Sequence, residues 1–221
     1  NLTQKAGANN IFTGNLSNNG SFTALPNATS QFSGSNNTSI TGTTPFTGSN
    51  QFQNLVISKS NNIQTVTSTL EVTADTLSVN NGEFIPATNS TFGDTTINST
   101  SATNFGTMNP PMGATINYVG NLTRNNLGRF LANSGTARIV KSTAGAQEIA
   151  GGFTGANAFY NLEVDHTGPA NEVTVPFDEI EITNLLDLIA GELTPFGFVG
   201  VPGLEPPDIF VNVPGVDSAS M

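Results

Sequence analysis

The strongest constraint on this chain is that it contains itself twice. Residues 14–58, GNLSNNGSFTALPNATSQFSGSNNTSITGTTPFTGSNQFQNLVIS, lie over residues 120–165, GNLTRNNLGRFLANSGTARIVKSTAGAQEIAGGFTGANAFYNLEVD. The offset is 106 at the start and 107 at the end, and the sharpest match is FTG(S/A)N-x-F-x-NL at 46–55 and 153–162. Farther on, Val66-Thr67 answers Val173-Thr174, Leu70-Glu71-Val72 answers Ile180-Glu181-Ile182, and Gly82-Glu83-Phe84 answers Gly191-Glu192-Leu193. Two homologous copies share one fold, so whatever is assigned to one holds for the other. The chain divides into a first β module (1–110), its duplicate (111–195) and a Pro-rich extended arm (196–221).

Within each module the apolar residues alternate in short runs about seven residues apart, as in Leu55/Ile57, Leu70/Val72, Leu77/Val79 and then Phe84. A period of two with turn residues between the runs reads as half-buried strands. The intervening residues are mostly Asn, Thr, Ser and Gly, whose short polar groups compete for backbone hydrogen bonds and disfavour helix. Fifteen Phe and many β-branched residues supply more burial than a disordered segment carries.

The expected fold is therefore all-β. It is either a β-solenoid, parallel β-helix-like and built of two duplicated modules, or a β-sandwich or jelly roll. The solenoid is preferred because Asn and Thr at strand corners form ladders between rungs and because the pattern crosses both modules without a linker. Residues 180–189 place Ile182, Leu185, Leu186 and Ile189 at helical spacing, but the aligned first copy, TLEVTADTLSV, alternates, so both are assigned to strand.

The formal net charge is −10, and all six basic residues lie at or before Lys141. Twelve of the 16 carboxylates follow it. Nucleic acid would have to bind against that field. Arg124, Arg129 and Arg138, interleaved with Phe130, make no nucleic-acid footprint. No apolar run reaches the roughly 18 residues of a membrane helix, so no membrane insertion is expected. The start at Asn1 suggests a processed chain or part of a longer one.

Active-site chemistry is scarce. The single histidine, His166, sits in VDHTGP and reads as a turn residue, because its neighbour Asp165 would face the other side of a strand. There is no Cys, and one imidazole with carboxylates is a poor zinc set. Asp178, Glu179 and Glu181 form the densest acidic group. They read first as a solvated face, then as a site for calcium, a hard cation that takes oxygen ligands, and last as a glycan-cleaving pair. GGFTGAN, 151–157, lacks the Lys of a phosphate loop, and its glycines read as turn formers. No cofactor is expected, and the chain is expected not to be an enzyme.

The arm carries Ile209, Phe210, Val211 and Val213 in one short apolar strand between prolines. Such a strand either folds back on its own module or adds to the sheet edge of the next subunit.

The string x-F-x-NL-x-(V/I), followed by x-L-x-V-x-x-x-L-x-V-x-x-G-x-(F/L), resembles the β-rich repeat of large secreted and cell-surface proteins of Bacteroidetes-type bacteria. The likeness covers roughly residues 30–85 and 137–195. It implies a β-helical or adhesin-like protein outside the cell. The same likeness implies O-glycosylation at Asp-Ser/Thr followed by a small or apolar residue, similar to Thr76, Thr95 and Ser218 here. Asn-x-Ser/Thr occurs at Asn1, Asn15, Asn19, Asn27, Asn36, Asn37, Asn89, Asn98 and Asn121.

Duplicated modules, an apolar arm and scarce chemistry together lead to one expectation: a structural subunit of an extracellular filament or a surface adhesin, with itself as partner through head-to-tail assembly and with glycans as further ligands. A carbohydrate-binding or carbohydrate-cleaving module of a secreted enzyme is the alternative, and a viral fibre the third.

Overall fold

The computed structural model describes residues 1–125, 127–141, 145–167, 172–176, 178–196 and 209–211. Its strands stack in parallel into a β-solenoid of about eight turns. Thr29, Asn54, Thr76 and Asp94 lie one above another at spacings of 25, 22 and 18 residues, and along the described ladder a rung takes between 18 and 29 residues. Among the described residues the one antiparallel pairing is the excursion Ser99–Ser101 with Asn104–Met108. The parallel ladder decides against the sandwich, whose sheets are antiparallel.

Alternation along each strand becomes columns along the axis. Phe52, Ala74, Phe92, Tyr118, Ile139 and Val164 follow one another in register and are all buried. Phe32, Ile57, Val79 and Ile97 form a second column. Each large apolar side chain taken out of water in this way contributes roughly 1.5–3 kcal/mol. One continuous cluster runs from Leu16 to Ile182, so the two modules share a single core.

The duplication is reproduced in three dimensions. Phe46 and Phe52 stack at 4.8 Å with Phe22 against both, and Phe153 and Phe159 stack at 4.8 Å with Phe130 against both. A one-turn 3-10 helix separates each stacked pair, Gly48–Asn50 in one copy and Gly155–Asn157 in the other. Its last residue locks the triad: Asn50 Oδ1 accepts from the Phe22 N–H at 2.9 Å, and Asn157 Oδ1 from the Phe130 N–H at 3.0 Å.

One corner is turned by the same device in several rungs. The N–H of Ala8, Ala28, Ser90 and Ala114 each donates to the carbonyl three residues back, and the residue between, Gly7, Asn27, Asn89 or Gly113, has φ between 61° and 72°. That is a β-turn with a left-handed third position, which admits Gly or Asn with little strain. In three of the four the small residue that follows, Ala28, Ser90 or Ala114, is buried.

Residues 180–190 are strand, as the first copy required, and Glu192–Phe196 pairs with Glu172–Pro176 in the next sheet. Ile209–Val211 adds in parallel to Ile180–Ile182 of its own chain. Val213 and Ser218 lie outside the described residues.

Candidate functional site

Three kinds of surface emerge: the polar ladders on the walls, a small set of inward polar residues, and the ends of the stack. On the walls, Asn98 Nδ2 donates to Asn80 Oδ1 at 2.6 Å and Asn125 Nδ2 to Asn98 Oδ1 at 2.8 Å. Asn184 Nδ2 donates to Asn161 Oδ1 at 2.7 Å, and Asn161 Nδ2 to Thr136 Oγ1 at 3.2 Å. These are the inter-rung ladders expected of a solenoid rich in Asn and Thr.

Most of the sequon asparagines are engaged in the same way. Asn15, Asn19, Asn37 and Asn121 each accept, through Oδ1, a backbone N–H of the following rung, from Ser39, Thr43, Thr65 and Glu148 at 2.9 to 3.1 Å. Asn27, Asn36 and Asn89 are exposed, and among the described residues their side-chain amides make no hydrogen bond. The hydroxyl positions differ too: Thr76 donates to Asn54 Oδ1 at 2.9 Å, at the wall. Thr95 is 1% exposed and donates inward to Gly93 O, so the fold closes that hydroxyl to a glycan.

The acidic group 178–181 is tied to the rung beneath it. Asp178 Oδ2 accepts from the Gly151 N–H at 2.6 Å, Glu181 Oε2 from the Gly155 N–H at 2.8 Å, and the Glu179 carbonyl from the Phe153 N–H at 3.0 Å. Among the described residues no three of His, Asp and Glu come together as a metal site. The three carboxylates instead have a visible structural use for two of their number.

The arginines are also occupied. Arg124 donates through Nε and Nη2 to Gly152 O, at 3.0 and 2.6 Å, and through Nη1 to Gly128 O at 3.0 Å. Burial holds its pKa below the ordinary value, with Asp178 opposing. Arg129 lies over the Phe105 ring, 4.4 Å from its centroid, and Arg138 pairs with Glu163 and, at 2.5 Å, with Asp165. Glu163 and Asp165 lie 25 and 27 residues on, which is one rung, so the ion pairs are invisible until the rung length is known.

His166 is not a turn residue. It ends the strand Phe159–His166 with its ring fully buried, and among the described residues neither ring nitrogen makes a hydrogen bond. Burial, then the Lys141 charge, lower its pKa, against a smaller upward pull from backbone groups of His166 and Gly145. The signal was present in the parity of the strand: Leu162, Val164 and His166 lie two apart and share the inward face.

At the N-terminal end, a cleft of about 410 Å³ opens between Asn1-Leu2 and Leu16–Asn19, lined by the buried Phe22 and Phe46 and by the exposed Ser17, Asn19 and Ser21. Leu2 stands in register with Phe22, one rung below it, and is too small to fill that end of the aromatic column. At the other end Leu185, Leu188 and Ile189 are half exposed, although Leu188 continues the buried column of Val164.

No protein-family model matches the sequence, and comparison with curated proteins and with solved structures gave no match. No helix among the described residues is long and apolar enough to cross a membrane.

Proposed function

We propose that this protein is a structural subunit of an extracellular filament or surface adhesin, assembling with copies of itself at the ends of its solenoid. The observation that supports this most directly is the state of those ends. Among the described residues Asn9–Phe12 is hydrogen-bonded on one side only, to Thr29–Gly34, so its outer edge offers backbone groups without a strand partner there, beside an apolar cleft. Unprotected parallel edges are templates for a further strand. The arm supports it too, since Ile209–Val211 already pairs as an added strand within its own chain, and the same strand exchanged between chains would join them.

Electron microscopy of the purified protein, with and without residues 196–221, tests the proposal. Ordered filaments that disappear on deletion are the expected outcome, and Ile209→Asp or Val211→Asp is expected to act likewise while leaving the β signal in circular dichroism intact. Dispersed monomers in every sample would overturn it.

Carbohydrate binding is the second reading, favoured by the amide and hydroxyl rim of the N-terminal cleft above Phe22. Retention on a glycan array by the monomer, lost in Ser17→Ala, would favour it over assembly.

A further inference from the structure

In a solenoid, position along the chain is position along the axis, so the order of charges in the sequence becomes a field along the rod. Residues 1–70 carry Lys5 and Lys59 and no carboxylate. Residues 71–141 carry four carboxylates and four basic residues, and residues 142–221 carry twelve carboxylates with no Lys or Arg. One end of the rod is weakly positive and the other strongly negative. Nine of those twelve carboxylates lie among the described residues, from Glu148 to Glu192.

Both ends also leave apolar surface uncovered. In the first rung Ile11 is 60% exposed, and Phe12 is only half buried although it stacks on Phe32 at 5.2 Å. In the last rungs Leu185, Leu188 and Ile189 are 50–55% exposed. A second copy of this chain has the spacing to cover either end, because its own rungs repeat the same inward columns.

Three pairings of ends are available. Two acidic ends would bring together two segments that each carry nine carboxylates and no Lys or Arg among the described residues. Rungs lie about 4.8 Å apart and the screening length at physiological salt is about 8 Å, so facing rungs feel one another's charge. Two N-terminal ends related by a two-fold axis would pair their edges antiparallel, against the ladder of the whole rod. The first rung of one copy on the last rung of another continues the parallel ladder and sets the basic end on the acidic one.

We propose that the protein stacks in this one polarity, the Asn9–Phe12 rung of each copy docking on the acidic C-terminal rungs of the next, with the axial charge gradient selecting against like ends. This rests on the assembly proposed above.

The chain has no cysteine, so single thiols at Ile11→Cys and Asp187→Cys, both exposed positions, can carry donor and acceptor dyes on separate molecules. Eight rungs at about 4.8 Å separate the two positions by about 38 Å within one copy. Polar stacking is expected to give energy transfer several-fold stronger for the 11/187 mixture than for 11/11 or 187/187. In unlabelled protein, Ile11→Glu is expected to abolish association and mixing it with Asp187→Lys to restore it. Association by sedimentation with stronger transfer in 11/11 or 187/187, or indifference to Ile11→Glu, would overturn the polarity while assembly stands. Monomers at all ionic strengths would overturn both proposals.

Discussion

Lys59 and His166 occupy the same place in the two modules: each ends an eight-residue strand, and each turns its side chain into the core. The two copies satisfy that place differently. Lys59 Nζ donates to Ser33 O at 2.8 Å and Thr38 Oγ1 at 3.4 Å, whereas the His166 nitrogens have no partner among the described residues. A buried imidazole without partners is tolerated because it is neutral, while an ammonium must be hydrogen-bonded.

That difference gives a pH dependence. The His166 pKa in the fold lies below the ordinary 6.5, so over the interval between the two values the unfolded chain binds a proton that the folded chain does not. Stability is therefore whole above pH 6.5 and falls as the pH drops through 6.5 towards the folded value. Urea midpoints measured from pH 8 to pH 5 are expected to fall less steeply for His166→Leu than for the parent, since the carboxylates contribute equally to both. Parallel curves would mean that His166 is solvated.

Tyr118 corresponds to Phe12 of the first module, each closing a four-residue strand. Its ring belongs in the core, but among the described residues its buried hydroxyl has no partner, and burial raises its pKa. An unsatisfied buried hydroxyl costs about 1–3 kcal/mol. Tyr118→Phe, which makes the second copy resemble the first, is expected to raise the stability by about 1 kcal/mol in urea unfolding. A loss of stability would show that the hydroxyl is bonded.

Gly42 and Gly151 hold the equivalent crossing of the chain over the rung below. Their φ values are 129° and 103°, and a Cβ would stand 2.1 Å from Asn18 O in one copy and 1.7 Å from Arg124 O in the other. Both strain and overlap oppose any side chain, so Gly42→Ala and Gly151→Ala are each expected to cost at least about 3 kcal/mol. Gly48 and Gly155, at φ 57° with open space around the missing Cβ, supply the control: Asn there is expected to cost less than about 1 kcal/mol. Thermal unfolding of the four variants separates the pairs.

How far the sequence carried these features depends on whether they are local. The strand at 180–190 followed from the duplication, because two homologous copies share a fold, whereas the aromatic triads needed the rungs, which bring Phe22 to Phe46 and Phe52 and Phe130 to Phe153 and Phe159. The ladders followed from composition, since Asn and Thr in parallel strands face their like. The corner turns were harder to see, because Gly7-Ala8, Asn27-Ala28, Asn89-Ser90 and Gly113-Ala114 are chosen for backbone angle and small volume, and their spacing varies with rung length. The pairing of Arg138 with Glu163 and Asp165 depended wholly on the rung, which no local pattern reveals.

The Asn80, Asn98 and Asn125 ladder is the wall feature most open to a direct test. Asn98 is its middle member, donating to Asn80 and accepting from Asn125, so removing it leaves one acceptor and one donor without their partner. Both neighbours are near solvent, which replaces part of what is lost. Asn98→Ala is expected to cost about 1–2 kcal/mol. Asn36→Ala, at an exposed turn outside any ladder, is expected to fall within about 0.5 kcal/mol of the parent. Urea unfolding of the two variants side by side measures what the ladder contributes, and equal stabilities would assign the Asn bias of this chain to its turns rather than its walls.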